Sequence, residues 1–181
     1  MIALRLLFMS IAIVYTIIFV LFISHELEEI YHFKHWFNKN NLYLKEQFPR
    51  LGNKMIRQFK HISTKGFAFI AFEETIILLT LLLYAFYRTY PGIGMGVVLM
   101  LSIHWTLTII QSLFIRRIIP GTYTAILGVC FSMYTFISFT NTYPFTLYIK
   151  YGIILFIFAM VNLAIMHILV AGYMKSKNNT N

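Results

Sequence analysis

An all-α bundle of five membrane-spanning helices is the fold class that this sequence predicts, and three observations carry the prediction. Of its 181 residues 59% are hydrophobic and only 12% charged, with a mean hydropathy of +0.73, far outside the composition of a water-soluble domain. Five apolar runs are long enough to cross a bilayer: Leu6 to Ile23, Gly66 to Tyr87, Gly92 to Ile115, Gly121 to Thr140 and Tyr151 to Met174. Lysine and arginine crowd every second connection between these runs, as a five-helix path requires. Helices are accordingly expected over 4–33, 66–87, 92–115, 121–140 and 147–174, with a basic amphipathic segment over 38–65, all in one membrane domain spanning 1–181.

The first run has no small-x-small cleavage site and leads straight into an acidic cluster, so it reads as a retained helix rather than a signal peptide. Past it the helix is expected to continue, because His25, Glu28, Glu29 and His32 fall at i, i+3, i+4 and i+7 and share one helical face. The segment that follows carries Pro49 and Gly52 as breakers. Beyond them Met55, Ile56, Phe59 and Ile62 lie on one side and Lys54, Arg57 and Lys60 on the other, the pattern of a basic helix resting on a membrane. "YRTYPGIGMG" is a short turn, whose Gly92 and Gly96 form a small-x-x-x-small pair that lets another helix come close. In "RRIIPGTYTA" Pro120-Gly121 stops one helix and starts the next. Cys130, the single cysteine, excludes an intrachain disulfide and reads as a buried packing residue. "TNTYPFTLYIK" makes the last turn.

Orientation follows from charge. Lys34, Lys39, Lys45, Arg50, Lys54, Arg57, Lys60 and Lys65 precede the second run, Arg116 and Arg117 lie in the third connection, and Lys175 and Lys177 follow the fifth run; Arg5, Arg88 and Lys150 are left for the other side. The positive-inside rule then puts the N-terminus outside and the basic segment and C-terminal tail in the cytoplasm. The net charge of +9 implies contact with anionic lipid head groups rather than nucleic acid, for which there is no motif. His35 and His61 read as surface residues. Nothing in the sequence fixes an oligomeric state.

Aspartate is absent, so carboxylate chemistry falls to six glutamates: Glu26, Glu28, Glu29, Glu46, Glu73 and Glu74. Ionisable residues inside spanning helices are costly and mark functional interiors. At ~1.5 Å per residue, Glu73 lies ~12 Å beyond Lys65, His167 ~12 Å before Lys175 and His104 ~18 Å before Arg116, so the three share a level in the cytoplasmic half. His25 joins them if the first helix continues. Carboxylates and imidazoles from several helices can bind Zn or Fe and leave a glutamate over as general acid or base. The expected metal ligands are His25, Glu29, Glu73, His104 and His167, with Glu28 and Glu74 as catalytic carboxylates. His32, Gln111 and Asn162 are expected to support them. Glu29 and His32 also have the Glu-x-x-His spacing of di-iron bundles.

The stretch "HELEEIYHFKHW", the buried Glu73-Glu74, His104 and "QSLFIRRIIPGTYTA" together resemble the bacterial HXXEE family, whose motif stands here as His25-Glu26-Leu27-Glu28-Glu29. The resemblance implies a multi-pass protein of the bacterial cytoplasmic membrane with no assigned reaction. Other intramembrane enzyme patterns fit less well: no His-Glu-x-x-His is present, Glu73-Glu74 lacks a following arginine, and a Ser-His-Asp triad has no aspartate. The chain therefore reads as a metal-dependent enzyme, a hydrolase or an oxidase, acting on a lipid or lipid-like molecule. A small proton- or cation-linked transporter or ligand-binding membrane protein is the alternative.

Overall fold

A computed structural model of the chain describes residues 2–59, 62–139 and 142–179, and the side chains among them other than those of 2–9, 51, 55, 57–59, 175 and 177–179. The described residues form six α-helices and no strand: α1 (Ile2–Gln47), α2 (Pro49–Phe59), α3 (Thr64–Tyr87), α4 (Pro91–Ile115), α5 (Thr122–Phe139) and α6 (Phe145–Asn179). Five of them, all but α2, are long and apolar enough to cross a membrane.

α1 runs further than expected. Between Ile2 and Gln47 there is neither glycine nor proline to stop it, and its 46 residues extend ~69 Å, about twice the ~30 Å of a bilayer's hydrocarbon core. The first part of the segment 38–65 thus completes α1, and a separate helix, α2, starts at Pro49, whose missing N–H costs nothing in a first turn. Gly52 makes this corner possible, since a Cβ there would stand 2.5 Å from the carbonyl oxygen of Leu44. Ile56 of α2 packs with Phe37 and Leu44 of α1 and Ile115 of α4. Lys60, His61 and the side chains of Met55, Arg57 and Phe59, on which the amphipathic pattern also rested, lie outside the described residues.

The remaining boundaries follow local chemistry. Ser63 caps α3 by accepting from the Gly66 N–H at 3.2 Å, and Pro91 opens α4. α4 ends at Arg116 in the left-handed region (φ 56). The α4–α5 turn is held by the overhang of α1: Tyr43 donates to the Ile115 carbonyl at 3.0 Å, and the Arg117 guanidinium lies 4.1 Å over the Tyr43 ring.

α4 is the central helix, touching α1, α3, α5 and α6. Its partner α6 comes close because Gly92 and Gly96 both face Tyr151, as the small-residue spacing predicts. The core between them and α1 includes Ile18, Met95, Val97, Val98 and Trp105, all with no exposed surface. Cys130 is on the outer face of α5, not in the core as expected. Its neighbours one turn away, Leu127 and Tyr134, face outward with it.

A leucine at Gly96 would drive its Cβ to 2.6 Å from Tyr151 Cβ. Gly96→Leu is therefore expected to destabilise the bundle by about 1–3 kcal/mol, read as a lowered midpoint of thermal unfolding in detergent. Gly172→Ala, with nothing within 4 Å of its Cβ position, should not lower that midpoint, since alanine is the better helix former.

Candidate functional site

The site begins at His25, which has no exposed surface. Its Nδ1 lies 3.0 Å from Thr124 Oγ1 at the start of α5. The Thr124 hydroxyl is 2.7 Å from Glu28 Oε2 and 3.1 Å from the Gly121 carbonyl, and it donates its one proton to the nearer, carboxylate oxygen. The same Oε2 accepts from the Thr124 backbone N–H at 3.1 Å. Glu28 thus satisfies a first-turn amide of α5 that has no partner in its own helix.

This chain of bonds fixes a tautomer. With the Thr124 proton committed to Glu28, Thr124 Oγ1 accepts, so His25 donates from Nδ1 and its Nε2 carries a lone pair. That Nε2 is 3.2 Å from His104 Nε2 of α4 and 3.5 Å from Glu29 Oε1. The two rings meet edge to face at 5.2 Å, with Trp105 edge-on to His25 at 6.5 Å. The Pro-Gly turn closes over this group. Gly121 has φ +88, and a Cβ there would fall 2.7 Å from His25 Cε1 and 2.9 Å from Glu29 Oε1, so its glycine answers both backbone and space.

Beside His104 is a cavity of about 70 Å³ between α1, α3, α4 and α6. Glu26, Glu74, His104 and Asn162 supply its polar lining, and its apolar wall includes Phe22, Met100, Phe158 and Met160. Phe158 and Met160 are 51% and 44% exposed on the apolar span of α6. Glu26, Glu29 and Glu74 lie within electrostatic reach of one another.

Of the residues expected at the site, His25, Glu28, Glu29, Glu74 and His104 come together in this region. Glu73 turns aside, accepting two bonds from the Asn162 amide at 3.0 and 3.2 Å, so Asn162 supports Glu73 rather than His167. His167 donates from Nδ1 to the Leu163 carbonyl at 3.0 Å and packs edge-on to Phe67. His32 is exposed, with its ring on the Glu28 carbonyl and against Tyr31, and Gln111 is exposed on the outer face of α4. The expected five-ligand metal set is therefore divided. A tetrahedral ion with bonds of about 2.0–2.1 Å holds two imidazole nitrogens about 3.3 Å apart, a spacing that His25 and His104 match. Among the described residues, however, no three histidine, cysteine or acidic side chains are gathered as a group able to hold a metal.

Two participants were not singled out from the sequence. Glu26 stands at i and i+3 with Glu29, a spacing that puts both on adjoining sides of α1 and could have marked it. Thr124 had no such signal. Its role depends on which carboxylate another helix brings to the start of α5.

A family model described as a protein of unknown function with HXXEE motif matches residues 16–137, which covers the His25 group, the Glu73-Glu74 pair, all of α4 and the Pro-Gly turn. No curated protein and no solved structure matches the chain.

Thr124→Val removes the donor to Glu28 and the acceptor of His25 while keeping shape. It is expected to destabilise the protein by about 1–3 kcal/mol, the cost of buried polar groups left without partners. Thr124→Ser should restore most of this loss in thermal unfolding.

Proposed function

The chain belongs to the HXXEE family, and we propose that the motif builds an intramembrane site that binds a lipid or lipid-like molecule and performs acid–base chemistry on it. The observation that carries this reading is the convergence on the buried His25 Nε2 of a second imidazole at 3.2 Å and a carboxylate oxygen at 3.5 Å. These atoms are all capable of accepting, and such atoms stand together around a shared proton or cation. Glu28, acting through Thr124, holds His25 in one tautomer. Glu74 and Glu26, which line the cavity, are the carboxylates able to exchange a proton with a bound molecule. The exposed Phe158 and Met160 beside the cavity favour entry from the bilayer.

A metal-dependent form of this proposal would place Zn or Fe between His25 and His104 and would need Glu29 to move in as a third ligand, since no three such side chains are gathered among the described residues; such an ion would supply Lewis acidity. Glu73 and His167 have no part in it, given their separate partners. The membrane is proposed to be the bacterial cytoplasmic one, with the basic overhang of α1 and α2 on the cytoplasmic side against anionic lipid. Proton- or cation-linked transport is the second reading, favoured by three glutamates in mutual electrostatic reach.

Cells producing the protein are expected to differ in membrane lipid profile from cells producing His25→Ala or Glu74→Gln at equal levels. Identical profiles would overturn the enzyme reading and leave transport. In parallel, elemental analysis of protein purified without added metal or chelator should find near-stoichiometric Zn or Fe, lost in His25→Ala and His104→Ala but kept in Glu73→Gln. Metal-free, folded protein would remove the metal-dependent form.

A further inference from the structure

Glu26 and Glu74 are the groups that the His25 network does not use. Both line the cavity, and neither has a hydrogen-bond partner among the described residues. A carboxyl group held at membrane depth without a donor is costly by several kcal/mol, so the site gains most from a molecule that brings donors. The cavity's own donors are occupied elsewhere. The Asn162 amide nitrogen is spent on Glu73, which leaves its carbonyl as an acceptor, and His104 Nε2 is engaged with His25. No lysine or arginine lines the cavity.

From this geometry we infer that the cavity receives the primary ammonium head of a single-chain amphiphilic amine, drawn from the bilayer onto Glu26 and Glu74. The inference rests on the proposed lipid-binding site and names its substrate class. An ammonium group offers three N–H donors, and its positive charge favours the ionised, accepting form of both carboxyl groups. A fatty alcohol brings one donor and no charge, and a carboxylate or phosphate is repelled. The number of N–H groups narrows the class further. A trimethylammonium head carries the charge but no N–H, so it would leave the carboxyl oxygens without donors. The chain leaves past Phe158 and Met160, where the wall is apolar and open to lipid.

The test uses the full chain in phosphatidylcholine vesicles and a primary alkylamine carrying a photoactivatable diazirine in its chain. Label is expected on α6 around Phe158 and Met160. Dodecylamine should compete about tenfold better than dodecanol, dodecanoate or dodecyltrimethylammonium, the ratio that one charge-assisted hydrogen bond supports. Labelling should fall about tenfold in the Glu26→Gln/Glu74→Gln double variant and in Ala159→Phe, an apolar change that fills the cavity without touching its charge. Glu46→Gln, at the exposed end of α1, should label as the parent does. Equal competition by dodecanol or by the trimethyl compound, or displacement by zinc ion instead of the amine, overturns the amine assignment. Labelling of the cavity by all amphiphiles alike would do so while leaving the lipid site standing. No labelling of the cavity by any of them would overturn both.

Discussion

The carboxylate of Glu28 on the first turn of α5 is the contact on which the rest of the site depends. It joins α1 to α5 by two hydrogen bonds, one to the Thr124 amide and one to its hydroxyl, at a helix start where amide donors otherwise lack partners. Where packing shields such donors from water, a carboxylate brought from another helix is worth more than at an exposed helix end. The same threonine then orients His25, and the glycine that opens the turn lies against His25 and Glu29. One anion thus caps a helix, sets a tautomer and fixes the turn that roofs the site.

The long α1 serves the same end from a distance. Its overhang beyond the apolar run grips the α4–α5 turn through Tyr43, which holds the Ile115 carbonyl and lies beneath Arg117. Without the overhang, Gly121 and Thr124 would be placed by the short loop and their contacts with His25, Glu28 and Glu29 alone. The polar residues of α1 accordingly divide between two tasks. His25 and Glu28 face α4 and α5 to build a fully bonded network, whereas Glu26, with Phe22 one turn before it, faces the cavity bounded by α3, α4 and α6. In the proposed site the bonded network would provide rigidity and the unbonded carboxyls the groups that receive a ligand.

Much of the architecture was legible in the residues. Hydrophobic run length gave the five spans, because lipid demands about twenty apolar residues per crossing. The spacing of His25, Glu28 and Glu29 marked one face of α1, which the structure brings against His104 and Thr124, and Gly92 with Gly96 marked the approach of α6. Several readings failed for identifiable reasons. The first helix runs past its expected end at 33 because polarity alone does not stop a helix and no breaker stands before Pro49. Cys130 was expected inside because its neighbours are apolar, yet in a membrane an apolar setting describes the outside of the bundle as well. His167 was placed with His104 on depth alone.

That last case states the division between sequence and fold. By itself the sequence determined which helices cross, how they are ordered, and at what level each ionisable group sits, since rise per residue is constant along a helix. Only the tertiary structure decided which way each helix is turned. Asn162 and His167 are five residues apart and differ by about 140° around α6; the first meets Glu73 and the cavity, the second meets Phe67. Rotation is set by how side chains pack against neighbouring helices, through contacts such as Gly96 on Tyr151 and Glu28 on Thr124, and a helix's own sequence does not contain its neighbours.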